Sequence, residues 1–203
     1  TRAQRRDVVR CQALAGAGQM CYFIGRDHEA RTYLSESLAI AREINDTKWV
    51  AGVLQPLGLA CLGVGDMVAA RQYLQEAVAL ARELGNEREL TAALNALAML
   101  HRLEGRLDEA APICEQVLAL TRELGDQEYI AIALLNLAMV WIGINADERA
   151  RLMLLEVMKI SEEIGSKSVR HSTLEVCAGL ASARNHWRQA AQLFGVAEAQ
   201  REL

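Results

Sequence analysis

The chain has 203 residues, of which 52% are apolar and 24% are charged, a composition typical of globular proteins. A formal net charge of −4 does not favour a surface for nucleic acid or anionic membranes. The sequence also contains no run of about 18 uninterrupted apolar residues and no signal peptide. We therefore expect a cytoplasmic protein that makes no contact with a membrane and does not bind nucleic acid directly.

The cysteines are odd in number, form no CxxC pair and fall in apolar helical stripes, so we expect buried, reduced thiols. A zinc or redox site is the weaker alternative. The five cysteines are Cys11, Cys21, Cys61, Cys114 and Cys177.

A 40-residue period organises the chain, because three columns of small or turn-forming residues recur in one register. The first column contains Gly25, Gly65, Gly105, Asn145 and Asn185. The second, five residues later, contains Ala30, Ala70, Ala110, Ala150 and Ala190. The third contains Asn45, Gly85, Gly125 and Gly165, residue types that end helices in the left-handed conformation.

Each period predicts two helices joined by a tight turn, which gives five repeats at about 7–46, 47–86, 87–126, 127–166 and 167–203. In the second helix of repeat one, Ala30, Leu34, Leu38 and Ala41 form an apolar stripe. The predicted helices are 7–23, 27–44, 48–63, 67–84, 88–103, 107–124, 128–143, 147–164, 168–183 and 187–202. The absence of an initiating Met suggests that this single repeat domain is a fragment of a longer polypeptide.

Two further features concern the first helix of each repeat. A small residue recurs at one fixed point, which suggests that another backbone passes close by; these residues are Gly18, Gly58, Ala98, Ala138 and Ala178. Pro56 falls in the middle of a predicted helix, where we expect tolerated strain or a kink that frees the carbonyl of Gly52.

The columns resemble the tetratricopeptide repeat, whose pattern is W-x2-L-G-x2-Y followed by Ala and Phe. Repeat two supplies Leu54, Leu57, Gly58, Cys61, Ala70 and Leu74, and repeat four supplies Leu134, Leu137, Ala138, Trp141, Ala150 and Leu154. The resemblance implies an all-α fold, a right-handed α-α superhelix or solenoid of about five helix–turn–helix repeats. The period of 40 instead of about 34 residues implies longer helices. Such repeats are similar to those of kinesin light chains, bacterial peptide-sensing regulators and ATPase-linked LuxR-type regulators. The stretch 189–203 looks most like the end of the repeats in the last group.

The resemblance also implies that the first helix of each repeat lines a concave groove and the second covers the outside. The predicted partner-binding residues are Gln19, Tyr22, Gln55, Leu59, Leu62, Asn95, Met99, Arg102, Leu135, Asn136, Met139, Ile142 and Glu175, and Gly179 and Ser182 also point inward. The cluster of Lys, Arg and Asn that binds a C-terminal carboxylate in chaperone-binding relatives is absent, with only Arg102 and Asn95 as remnants. The groove is apolar at its centre, which favours a partner site. Packing of these residues on neighbouring repeats is the alternative.

Chemistry is poorly supported by the sequence. The histidines share no metal-ligand spacing. His101 and Trp141 stand at the Tyr position of the repeat pattern, which we expect to be part of the core and call the structural column. Trp187 opens the last helix, and Trp49 is a weaker candidate for the groove's edge. Phosphate-binding loops and hydrolase motifs are absent, so we expect no enzyme, no cofactor and no metal.

The predicted function is a protein–protein interaction module, the regulatory or sensory repeat region of a larger bacterial regulator. Its partner would be a protein or peptide segment, or a neighbouring domain of the parent chain. Two alternatives are a domain that senses a small ligand in a closed pocket and a self-associating scaffold, such as a homodimer.

Overall fold

The computed structural model describes the backbone of residues 2–201 and the side chains of residues 7–199. These residues form ten α-helices and no strand. The helices are α1 Arg2–Phe23, α2 Asp27–Glu43, α3 Thr47–Gly63, α4 Met67–Glu83, α5 Glu87–Leu103, α6 Leu107–Leu124, α7 Gln127–Gly143, α8 Asp147–Ile164, α9 Lys167–Ala183 and α10 Trp187–Arg201. The predicted ends agree to within one residue, except that α1 begins five residues earlier; residue 202 lies outside the described residues.

The chain divides into two compact units, Thr1–Leu100 and His101–Leu203. In the first unit, α1 pairs with α2, α2 packs on α3, and α3 pairs with α4. In the second unit, α6 packs on α7, α7 pairs with α8, and both pack on α9, which pairs with α10. Each unit is therefore a stack of helical hairpins, as the repeat pattern predicts.

The turns follow the sequence columns closely. Each helix-to-helix connection of the described chain places one residue in the left-handed region, with φ between 56° at Asn45 and 80° at Gly65. Six of these residues are Gly and three are Asn, the two residue types that enter this region at least cost. The prediction that Asn45 ends its helix is confirmed.

The alanine column lies in the core. Ala30, Ala70, Ala110 and Ala150 are fully buried, and Leu34 and Leu38 of the predicted stripe are buried beside Ala30. The first helices contribute residues such as Leu54 and Leu134, which are also fully buried. The apolar stripes inferred from the sequence are thus the faces that bury apolar area between neighbouring helices.

The small-residue column differs from the prediction in what it contacts. A Cβ on Gly18 would lie 2.6 Å from Cγ of Leu34 and 3.2 Å from the carbonyl oxygen of Ala30. The main neighbour of Gly18 is therefore the Leu34 side chain of the paired helix, and the closest backbone atom of that helix is the carbonyl oxygen of Ala30. A branched side chain fills the space beside the glycine, which is why the column needs a small residue.

Two other expectations concern single residues. Helix α3 continues through Pro56 from Thr47 to Gly63. Four of the cysteines are buried, as predicted, whereas Cys177 is only half-buried. Between residues 2 and 201, no helix combines the length and the apolar character required to span a bilayer.

Candidate functional site

An open trough of about 650 Å³ lies in the second unit. The end of α5 and the following turn, the start of α6, and one face each of α7 and α9 form it. Its lining residues are Arg102, Gly105, Leu107, Ile132, Leu135, Asn136, Met139, Ile142, Gly143, Ser172, Glu175, Val176 and Gly179.

Helix α7 supplies the floor of the trough because its contributing residues are spaced by three or four positions. Ile132, Leu135, Met139 and Ile142 therefore share one helical face. Leu135 is buried, whereas Met139 and Ile142 are half-buried and Ile132 is exposed. The floor thus keeps apolar area accessible, although α7 is packed on α6, α8 and α9.

Glycines determine where the trough is open and where it is closed. A Cβ built on Gly179 of α9 has no atom within 4 Å, so the trough is open on the α9 side because this residue has no side chain. A Cβ on Gly143 would instead lie 2.6 Å from Cδ1 of Leu107, where α7 and the start of α6 meet. Gly105 has φ +74° and also borders open space, at the turn that follows Arg102.

The charged groups of the trough have different surroundings. Within the described part of the chain, the half-buried Arg102 forms no ion pair, and its positive charge lowers the pKa of the Cys114 thiol against the larger, raising effect of burial. On the opposite wall, Oε1 of Glu175 lies 3.2 Å from Nε2 of His171. Nδ1 of His171 lies 2.9 Å from the carbonyl oxygen of Ala197, an arrangement in which Nδ1–H donates. Among the described residues, Arg102 is therefore the cation of the trough that has no carboxylate partner.

The trough collects six of the thirteen predicted partner-binding residues: Arg102, Leu135, Asn136, Met139, Ile142 and Glu175. The other seven lie in the first unit. Of these, Gln19 is exposed, Leu62 is buried, and Tyr22, Gln55, Leu59, Asn95 and Met99 are half-buried. Burial and, next, the Asp27 carboxylate raise the pKa of Tyr22. A binding role for all thirteen residues remains a prediction.

Several lining residues were missed by the sequence analysis. Ile132 precedes Asn136 by four positions and Ser172 precedes Glu175 by three, so one more helical turn of the predicted stripe would have included both. Val176 directly follows Glu175 and continues the same wall. Leu107 had no such signal, because the resemblance places second helices on the outer face. Only the packing of the start of α6 beside Gly143 brings Leu107 to the trough.

The structural column also behaves as predicted. Trp141 is buried, with the guanidinium carbon of Arg149 4.8 Å from the ring centroid. His101 is buried, with Nδ1 3.4 Å from Oε2 of Glu109. Both side chains support the helix pair rather than the trough. The described residues contain no group of three or more His, Cys, Asp or Glu side chains arranged to hold a metal ion.

The remaining tryptophans lie outside the trough. Trp49 is half-buried and its Nε1–H points to Oγ of Ser37 at 3.4 Å. Trp187 is 61% exposed at the start of α10. Neither has the surroundings of a buried binding anchor.

Three solved structures show the same fold at low sequence identity. BtubC (BKLC) from P. vanneervenii is 18% identical, with a TM-score of 0.77 over 99% of this chain and 85% of that one. A Rap protein complexed with Competence and Sporulation Factor is 15% identical, with a TM-score of 0.84 over 96% of this chain and 54% of that one. NprR in complex with its cognate peptide NprX is 16% identical, with a TM-score of 0.77 over 97% of this chain and 56% of that one. The chain spans about half the length of the latter two proteins.

No curated protein sequence matches the chain. The family model described as tetratricopeptide repeat matches residues 9–83 and 88–163, which is most of the chain. This match agrees with the helix pairs, the turn columns and the structural likeness to the TPR-like repeats of a putative kinesin light chain. The chain belongs to the tetratricopeptide repeat family.

Proposed function

We propose that the chain is a non-catalytic protein–protein interaction module that holds a peptide or protein segment in the trough of its second unit. The observation that carries this proposal is the accessible apolar floor formed by Met139, Ile142 and Ile132, between walls that carry Arg102 and Glu175. Accessible apolar area of this kind is characteristic of partner sites, and Met adapts to irregular partners. A binding role for the predicted groove residues of the first unit stays a separate prediction.

The likeness to two ligand-bound structures supports the same proposal. The Rap protein was solved with Competence and Sporulation Factor and NprR with its cognate peptide NprX. The open form of the trough also suits a segment of polypeptide better than a small inducer, which would need a closed pocket. In a larger cytoplasmic regulator of bacterial type, such binding would act by favouring one conformation of the parent protein.

A plug in the trough is the direct test. Gly179→Leu places a side chain where a Cβ meets nothing within 4 Å, so the variant should fold and fill the trough. Gly195→Leu is the matched control, because Gly195 is an exposed glycine of α10 with equally open surroundings and does not line the trough. Both variants should retain the helical circular dichroism of the parent chain.

The binding probe is a random linear peptide library displayed on phage and selected on the purified chain. Peptides selected on the parent chain should bind Gly195→Leu unchanged and lose binding to Gly179→Leu. Equal binding to both variants, or failure to select any peptide that Gly179→Leu rejects, would show that the trough is not a peptide site.

Self-association is a second candidate, favoured by the outward face of α1. Ala13 is exposed and Met20 is 63% exposed, whereas the residues that follow them by 40 positions, Val53 and Ala60, are buried. A second copy of the chain could cover this face and form a homodimer. Light scattering over a range of concentrations would then report a mass above that of the 22.3-kDa chain, and Met20→Glu would lower it. A constant monomer mass would rule this candidate out.

A further inference from the structure

Arg102 is the group of the trough that the proposed function leaves unexplained. Its half-buried side chain lines the trough beside an apolar floor, and no carboxylate of the described residues pairs with it. The neighbouring Arg106 is different, because it is paired with both Glu104 and Glu109. The second unit therefore pairs one arginine of this region twice and leaves the other, which faces the trough, with its charge uncompensated.

The acidic residue of the trough does not supply the missing charge. Glu175 lies on α9 beside His171, which is itself anchored to the carbonyl oxygen of Ala197 on α10. Helix α7 contributes the floor between the Arg102 and Glu175 walls. The side of the trough formed by Arg102 is thus the side on which an anionic group of a ligand would bind.

The surroundings of Arg102 strengthen such an attraction. The floor residues Met139 and Ile142 are apolar, and a segment covering them would exclude water from the guanidinium. A charge pair is stronger in such a place than on an open surface, because the effective dielectric constant falls. The planar guanidinium can also donate two parallel hydrogen bonds to one carboxylate.

The geometry beyond Arg102 indicates which carboxylate would reach it. Gly105 lines the trough three residues after Arg102, and a Cβ at this position would meet no atom within 4 Å, so no side chain closes the trough there. A terminal carboxylate is favoured by a site that ends at its cation. An internal Asp or Glu side chain is favoured by a site that remains open beyond it.

We infer that the trough selects segments in which apolar side chains occupy the α7 floor and an internal Asp or Glu side chain pairs with Arg102. This inference rests on the proposed function and specifies the chemical class of its partner. It makes Arg102 a specificity-determining residue, whereas the apolar floor residues add affinity but do not select for a charged residue in the partner.

The test uses the same phage library, in which each random peptide is fused through its C terminus, so that only side-chain carboxylates are offered. Selected peptides should be enriched in Asp or Glu at a fixed distance from their apolar residues. Selection on Arg102→Met, which keeps an unbranched apolar stem, should lose that enrichment. Arg188→Met is the matched control, since Arg188 is exposed on α10, lies outside the trough and has no ion pair among the described residues.

Fluorescence anisotropy with one selected peptide then measures how strongly its acidic residue depends on Arg102 for binding. Replacing its acidic residue by the amide should weaken binding to the parent chain and to Arg188→Met by about five- to tenfold, and leave binding to Arg102→Met nearly unchanged. Two outcomes would overturn this inference but leave the proposed function standing. One is that peptides bind in the trough without an acidic preference, and the other is that Arg102→Met retains the acidic preference.

Two further outcomes complete the test. A gain in affinity only when a synthetic peptide carries a free rather than amidated C terminus would assign Arg102 to terminal carboxylates and overturn the side-chain inference. If no selected peptide is sensitive to the Gly179→Leu plug, the proposed function fails, and the inference fails with it.

Discussion

The side chain of Leu74 on α4 occupies the space that a β-carbon on Gly58 of α3 would need, since its Cγ and Cδ2 atoms both lie 2.6 Å from that position. Both residues are buried, and Leu74 is fully so. The contact joins the small-residue column to the second helix of the same repeat. It shows why a helix interior tolerates glycine here despite the conformational entropy that glycine loses on folding.

We predict that Gly58→Ala destabilises the chain by about 1–3 kcal/mol, because the added methyl group must displace the branched end of Leu74 in a packed core. The measurement is the midpoint of thermal unfolding, followed by circular dichroism. The expected fall is about 2–4 °C for each kcal/mol in a chain of this size.

Gly52→Ala is the matched control on the same helix. A β-carbon at Gly52 meets nothing within 4 Å, so the substitution should raise stability by about 0.5–1 kcal/mol through the better helix propensity of alanine. Equal responses of the two variants would contradict the assignment of Gly58 to a packed junction.

Much of the fold could be predicted because each repeat marks its own turns. The Gly and Asn columns locate the left-handed residues, and the Ala column beginning at Ala30 locates the buried side of each second helix. Such local signals specify helix ends and buried faces without knowledge of tertiary structure. They do not specify which atoms fill the space beside a small residue, which is why Leu34 was not foreseen as the neighbour of Gly18.

The turns give a second prediction, at a non-glycine residue. Asn145 has φ 60°, a conformation that Asn and Gly adopt more easily than other residues. We expect Asn145→Ala to lower the free energy of unfolding by about 1 kcal/mol and Asn145→Gly to leave it unchanged or higher. Urea unfolding of the two variants gives the comparison. A loss of stability in Asn145→Gly equal to that in Asn145→Ala would mean that the asparagine side chain, not the backbone, matters at this turn.

The start of α7 provides a third prediction, which bears on the trough floor. Oδ1 of Asp126 accepts hydrogen bonds from the backbone N–H groups of Glu128 and Tyr129, at 3.1 and 3.3 Å. These groups lack partners within the helix, and the carboxylate also interacts favourably with the helix dipole. Asp126→Ala should therefore cost about 1 kcal/mol, and Asp126→Ser should recover most of it. Native-state hydrogen exchange of the first α7 amides would show the loss locally; unchanged exchange would count against this cap.

The trough was predicted less completely than the fold, and for a physical reason. Residues on one helical face, such as Met139 and Ile142, follow from spacing along α7 alone. The role of Gly179 depends on an empty volume beside it, and the role of Leu107 depends on contact between two helices. The uncompensated charge of Arg102 depends on where every nearby carboxylate lies. Such properties belong to three-dimensional packing and cannot be deduced from a single repeat pattern.

The buried thiol of Cys114 gives the last prediction, a dependence of stability on pH. Burial raises the pKa of Cys114 to about 11 from the ordinary value of 9.0, against the weaker opposing effect of Arg102. Between these two values the folded chain binds more protons than the unfolded chain, so the free energy of unfolding falls as pH rises. This contribution is complete below pH 9.0 and is lost by about pH 11.

Urea midpoints of the reduced protein, measured from pH 9.0 to about pH 11, should therefore decrease, and the decrease should be shallower in Cys114→Ala. Burial also raises the pKa of Cys11, Cys61 and Cys177, so part of the slope should remain in the variant. The absolute stability of Cys114→Ala will be lower at every pH because of the space it leaves, so the slope rather than the midpoint is decisive. Parallel slopes for the parent chain and the variant would show that Cys114 does not titrate in this range, and that another group causes the alkaline loss.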